Sequence, residues 1–232
     1  MPAAVPRDAR ANPLILFLAA ALFLFTFGLV AQEVTEGKTS AFDRFIILSL
    51  RDPANPSVPL GPAWLQEAAR DVTSLGSIVV LAIITFTAVG YLFLARKHVA
   101  AWLMLIAVFG GIALNDLLKA AFARPRPDIV THAVRVFTTS FPSGHASLSA
   151  ITYLTIGALL AQSQSSRTVS IYFMALAAFL TVIVGVSRIY FGVHYPTDVI
   201  GGWCIGAAWA ITCWIVAARL QALGRVGATG AP

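Results

Sequence analysis

Val99-Ala-Ala-Trp-Leu-Met-Leu-Ile-Ala-Val-Phe-Gly-Gly-Ile-Ala-Leu-Asn-Asp-Leu-Leu118 is a twenty-residue run with one charge, Asp116. A helix of about 20 mostly apolar residues crosses the roughly 30 Å hydrocarbon core of a bilayer. The run leads directly into Lys119-Ala-Ala-Phe-Ala-Arg-Pro-Arg126-Pro127, where cations and prolines crowd together. A membrane-length apolar segment that ends in fixed charge sets the fold and marks where a site should be sought.

Five more segments qualify as spans: roughly Pro13–Ala31, Leu75–Ala95, His145–Ala161, Val169–Val186 and Val199–Ala218. Their apolar runs lack period-two alternation, and each must satisfy its own backbone hydrogen bonds, which favours helices over a barrel. The expected architecture is all-α, an integral membrane bundle of six transmembrane helices forming one domain over residues 1–232. Composition agrees. The chain is 58% hydrophobic and 11% charged, with a mean hydropathy of +0.82, where soluble domains carry roughly 25% charged residues. The first run follows Arg7 and Arg10 but exceeds a typical signal core. Leu29-Val30-Ala31 also lacks a small residue three before a possible cut, so an uncleaved anchor is expected.

Basic residues set the orientation. With the N-terminus in the cytoplasm, the cytoplasmic pieces hold Arg7, Arg10, Arg96, Lys97, Arg167, Arg219 and Arg225 against one acid, Asp8. The whole formal charge of +6 then lies on that face, so the basic balance reports topology and no nucleic-acid partner is implied. Cys204 and Cys213, nine residues apart on one span, face nearly opposite sides and read as small buried residues.

The connection from Gln32 to Ser74 is the one sizeable extramembrane stretch. Phe42, Phe45 and Ile46 share a helical face, Pro53, Pro56, Pro59 and Pro62 interrupt regular helix, and Trp64, Ala68 and Val72 align again. Short interfacial helices in this first outer loop are expected, either as a cap that guides a lipid or as a packed linker. The tail after Arg219 is small and polar and is expected to be disordered.

Three motifs carry chemistry. Lys119, Arg126 and Arg188 sit at outer ends of spans, and three fixed cations in one partly dehydrated cleft call for an anion. Arginine's forked donors and lysine's point charge suit phosphate. Arg124 and Arg135 are read as snorkelling, although Arg124 could also reach phosphate. Pro142-Ser143-Gly144-His145 opens a span, and free N–H groups there make an anion cradle, with the Ser143 hydroxyl as a further donor. His194 and Asp198, four residues apart, can pair so that the carboxylate fixes the imidazole tautomer and leaves the other nitrogen free to attack. Asp116 is read as a charge offset for Lys119, Tyr190 and Tyr195 as interface aromatics, and His132 as a solvated loop residue. No carboxylate cluster of the metal-binding type is present.

These motifs, K-x6-RP, PSGH and SR-x5-H-x3-D over residues 119–198, resemble the type 2 phosphatidic acid phosphatase family. That family is the membrane branch of a superfamily that includes the vanadium haloperoxidases, which are soluble. The resemblance implies metal-independent hydrolysis of a lipid phosphate or diphosphate with no cofactor. His194 would attack phosphorus, Asp198 would orient it, and His145 would act as general acid. Lys119, Arg126, Ser143, Gly144 and Arg188 would hold the phosphate. Undecaprenyl diphosphate, phosphatidylglycerol phosphate and phosphatidic acid are the expected substrates. A bacterial cytoplasmic membrane with the site extracytoplasmic is the expected location. Transfer to a second lipid, or phospholipid binding or transport without turnover, are the alternatives.

Overall fold

A computed structural model of the chain describes residues 12–128 and 138–228, with side chains through residue 221. Eight helices follow in order: α1 Pro13–Thr35, α2 Ser40–Ser49, α3 Ala63–Ser74, α4 Ile78–Leu94, α5 His98–Phe122, α6 Gly144–Gln162, α7 Arg167–Tyr190 and α8 Pro196–Ala228. No strand occurs among the described residues. Helices α1, α5, α6, α7 and α8 are each long and apolar enough to cross a membrane. Helices α3 and α4 meet the same length and hydropathy requirement only as a pair, bent by 48° at the break between them.

Local signals explain the boundaries. The Asn12 side chain accepts from the Leu14 N–H at 2.9 Å, and Pro13 opens α1 with its fixed φ. Ser77 caps α4 through the Val80 N–H at 3.3 Å. Helix α5 ends on Ala123 in the left-handed region (φ 45°), whose N–H closes on the Lys119 carbonyl at 3.0 Å. Pro125 and Pro127 then prevent the helix from resuming. Gly192 (φ 65°) turns the chain between α7 and α8. The segment after Arg219 departs from expectation, because α8 continues as helix to Ala228.

Helix α6 is the central element, packed against α5, α7 and α8, while α1 lies on the outside of α8. The core joins Leu81, Met104, Ala107, Ile151 and Ala177. Helices α6 and α8 approach closely because α8 is bare at two positions. A Cβ on Gly202 would lie 2.7 Å from the Ser143 carbonyl oxygen, and one on Gly206 would lie 2.5 Å from that of Ser147. Small residues at such contacts let transmembrane backbones meet.

The first outer loop is packed onto this bundle. The Arg51 guanidinium donates to the Tyr190 carbonyl at 2.8 Å, and the Tyr190 hydroxyl donates to the Leu60 carbonyl at 2.8 Å. Phe42 and Phe45 of α2 are exposed, in keeping with an interfacial helix. The opposite face of α2 is buried and carries Asp43 and Ile47, both 0% exposed. An acid on the inward face is the reverse of a water-soluble amphipathic helix.

Candidate active site

The C-terminal ends of α5 and α7 meet the N-terminal ends of α6 and α8, and the three motifs converge there. Helix α7 delivers Arg188 in its last turn, the turn after it delivers His194, and α8 delivers Asp198 in its first turn. The Ser143 N–H donates to the Asp198 carbonyl at 2.9 Å, which ties the start of α6 to the start of α8. Lys119 projects from the last turn of α5 toward Gly144, where a Cβ would lie 3.8 Å from Lys119 Cε. Gly144 therefore keeps the backbone bare beside the lysine.

His194 is 2% exposed, and its two ring nitrogens face different partners. Nδ1 lies 3.3 Å from Asp198 Oδ2. Nε2 lies 3.2 Å from Arg126 Nη1. A guanidinium only donates, so Nε2 is the acceptor and the ring proton resides on Nδ1, toward the carboxylate. Asp198 is fully buried and held on both oxygens. Oδ2 also accepts from the Ser140 hydroxyl and from the Tyr195 N–H at 2.9 Å, and Oδ1 accepts from Arg124 Nη1 at 2.6 Å. Burial pushes the His194 pKa down to about 4. The Asp198 hydrogen bond and charge oppose that shift, while Arg126 and Arg188 reinforce it. The imidazole is thus neutral at physiological pH.

The remaining groups line the same place. Arg126 is half-buried and fixed by Nε to the Thr138 carbonyl at 2.7 Å and by Nη1 to the Val193 carbonyl at 2.8 Å; burial lowers its pKa. Arg188 is buried, with Nη1 donating to Thr73 Oγ1 at 2.9 Å. Arg188 Nε and the Ser143 hydroxyl are buried and meet no partner among the described residues. Ser143 precedes α6 without capping it through its side chain, so the first N–H groups of α6 keep their donor capacity. The His145 ring forms no hydrogen bond among the described residues. It packs beside the bend between α3 and α4, where a Cβ on Gly76 would lie 3.1 Å from His145 Cδ2. Among the described residues no three His, Cys, Asp or Glu side chains gather as metal ligands.

Several residues differ from their sequence reading. Arg124 does not snorkel. Its side chain is 12% exposed and stacks over Tyr195 at 4.2 Å, with donors on Asp198, Thr197, Thr39 and Asp43. Tyr195 accordingly supports that arginine and is half-buried. Tyr190 anchors the first loop. Asp116 is exposed and makes no ion pair with Lys119, whose Nζ donates to the Thr139 carbonyl. His132 and Arg135 lie outside the described residues. Cys204 and Cys213 are buried and unpaired, as expected.

Sequence reasoning passed over Asn115, Ser140 and Asp43. Asn115 is buried one turn before Lys119, accepts from the Ser147 hydroxyl at 2.8 Å and presents Nδ2 toward Gly144. Its i to i+4 spacing from Lys119 was the available signal. Ser140 and Asp43 reach the site from segments whose placement no local pattern announces.

A family model described as the PAP2 superfamily matches residues 100–222. Phosphatidylglycerophosphatase B of Bacillus subtilis is 34% identical over 191 residues, spanning 80% of this chain and 87% of that protein. Lipid A 1-phosphatase of Rhizobium johnstonii is 33% identical over 144 residues, 58% of this chain and 54% of that one. Among solved structures, the transmembrane PAP2-type phosphatidylglycerolphosphate phosphatase from Bacillus subtilis superposes with a TM-score of 0.70. It is 27% identical and covers 89% of this chain and 96% of its own.

Proposed function

This chain belongs to the PAP2 superfamily, and from that premise we propose that it hydrolyses a lipid phosphate through a phosphohistidine on His194. Phosphatidylglycerol phosphate is the first candidate substrate, since phosphatidylglycerophosphatase B matches most of the chain. Phosphatidic acid and undecaprenyl diphosphate are the next. One observation carries the mechanism: Asp198 sits on Nδ1 of His194 while Arg126 sits on Nε2. The unprotonated nitrogen, whose lone pair accepts from Arg126 and would pass to phosphorus when substrate takes that arginine's donor, therefore faces the group that would hold the phosphoryl oxygens.

The chemistry follows in two displacements. His194 Nε2 forms a bond to phosphorus as the bond to the lipid oxygen breaks, and His145 gives its proton to that oxygen. Water then attacks phosphorus, His145 takes a proton from it, and the bond to Nε2 breaks. Lys119, Arg126, Arg188, the Ser143 hydroxyl and the Gly144 N–H stabilise the phosphoryl oxygens throughout. Two opposite unit charges about 4 Å apart attract by about 4 kcal/mol at an effective dielectric near 20. Three such cations can supply the charge neutralisation that a metal gives in other phosphoryl transfers.

The same reading places the enzyme in a bacterial cytoplasmic membrane with its site outside. Arg96, Lys97 and Arg167 lie at helix ends and Arg219 in the last third of α8, all remote from the site on the side that the positive-inside rule assigns to the cytoplasm. Substrate would enter sideways from the outer leaflet, past the exposed Phe42 and Phe45. The test is phosphate release by purified protein in detergent with EDTA, wild type against His194→Ala, across the three substrates. Release from phosphatidylglycerol phosphate that persists in EDTA and vanishes in the variant supports the proposal. Turnover only when a second lipid acceptor is added indicates phosphotransfer, and undiminished release by His194→Ala rules out the phosphohistidine.

A further inference from the structure

Asp43 lies 155 positions before Asp198 in the chain, yet one guanidinium joins them. Arg124 Nη2 donates to Asp43 Oδ2 at 2.8 Å, and Arg124 Nη1 donates to Asp198 Oδ1 at 2.6 Å. Asp43 also accepts from Thr197, the residue before Asp198, through its N–H at 3.1 Å and its hydroxyl at 2.7 Å. Asp43 and Asp198 are both 0% exposed. We propose that Asp43 on α2 is a positioning residue for the reaction: it divides Arg124 between two carboxylates and so keeps Asp198 Oδ2 free to orient His194. This inference rests on the assignment of His194 as the nucleophile.

Asp43 and Asp198 compete for the donors of Arg124. A guanidinium beside a single buried carboxylate prefers the bidentate fork, with one N–H on each oxygen. That arrangement would draw Arg124 onto both oxygens of Asp198. Oδ2 would then be shared with the guanidinium instead of being reserved for His194, Ser140 and the Tyr195 N–H. Asp43 forestalls this by holding Nη2, while Tyr195 fixes the plane of the guanidinium from one side. Charge acts in the same direction. Asp43, Arg124 and Asp198 together carry one net negative charge, which stabilises the imidazolium side of the phosphohistidine transition state. Without Asp43 that cluster is neutral. Helix α2 thereby becomes part of the catalytic apparatus, although its sequence reads as a membrane-surface helix. Deleting residues 40–50 would consequently damage the chemistry as well as any lipid entry.

The experiment is steady-state kinetics of the full chain in detergent micelles with phosphatidylglycerol phosphate. The variants are Asp43→Ala, Asp43→Asn, Arg124→Ala, Asp43→Ala with Arg124→Ala, and His194→Ala. Asp43→Ala should lower kcat about 10- to 100-fold, the size typical when a group that orients a reactive histidine is removed. KM should move less than about threefold, because Asp43 does not touch the phosphate-binding groups. Asp43→Asn keeps the side-chain shape and should fold like wild type, yet still lose kcat, because a neutral amide cannot offset Arg124. In the Arg124→Ala background, the Asp43→Ala change should cost less than about threefold further, since its action runs through that arginine. Wild-type kcat in Asp43→Asn, or a full additional loss in the Arg124→Ala background, would overturn the inference. His194→Ala separates the two levels. If it is inactive while both Asp43 variants match wild type, only this inference falls; if it remains active, the nucleophile assignment falls with it.

Discussion

Helices α1 and α6 both pass as membrane spans, and they do opposite work. Only 11% of the most apolar stretch of α1 is buried, against 56% of that of α6. Leu14, Phe17, Leu22 and Phe25 of α1 face outward, where lipid would meet them. On α6 the buried residues include Ser147, Ser149, Thr152 and Thr155 beside Ala146 and Ala150. Large apolar residues make the lipid-facing wall of α1, whereas the interior face of α6 mixes small and hydroxylated residues with Leu148, Ile151 and Tyr153. In a bilayer there is no hydrophobic gain in hiding leucine, so interiors are built from small groups that pack closely and from polar groups that need partners. The site sits where that interior reaches the end of the bundle, and its charged residues are buried for the same reason.

The contrast can be broken at either helix. The largest effect is expected at the site end. Asp198→Asn should lower kcat about 10⁴-fold while leaving the fold intact, because an amide no longer selects the Nδ1–H tautomer; a loss below about tenfold in phosphate-release kinetics would count against the pairing. Ser143→Ala should cost about 10²- to 10³-fold in kcat, the scale of one transition-state donor. Unchanged kcat there would mean that the unpartnered hydroxyl does not meet phosphate. Gly202→Val should destabilise by about 1–3 kcal/mol or prevent folding, since its side chain would press on the Ser143 carbonyl. A thermal midpoint in detergent equal to wild type would remove the close α6–α8 contact from the account. The pH profile should be a smaller but diagnostic effect. His194, with its pKa lowered to about 4, must be neutral if it is the proposed nucleophile, so the acid limb of kcat/KM that it causes should fall toward pH 4 once substrate ionisation is corrected for. An acid limb near 6.5 that belongs to His194 would contradict the burial. The smallest effect belongs to α1. Phe17→Ala should shift stability by less than about 0.5 kcal/mol; a shift as large as that of Gly202→Val would erase the distinction between the two helices.

Much of this was legible because spans and motifs are local. The twenty-residue runs announced the helices, and Lys119, Arg126, Ser143, His145, Arg188, His194 and Asp198 stood in spacings that suit phosphate. The short helix at residues 64–72 and the span that follows it were both expected, but the 48° bend that joins them as α3 and α4 was not. Arg124 was misread because snorkelling and clamping begin from the same sequence, an arginine after a span. Its partners decide between them, and Asp43 is 81 residues away. Asp43 itself was masked by its neighbours: Phe42 and Phe45 suggested a surface helix, and a surface helix normally turns its acid toward water. Ser140 carries no motif and became visible only through what it touches, while Asn115 offered no more than its i to i+4 spacing from Lys119.

The central claim is a covalent phosphohistidine on His194. Rapid quenching of wild-type protein with phosphate-labelled phosphatidylglycerol phosphate, followed by peptide mapping, tests it most directly. The account predicts acid-labile, base-stable label on the peptide that contains His194 in the wild type, and none in His194→Ala. Phosphate release at a normal rate with no label on that peptide, or with label on His145, would contradict it.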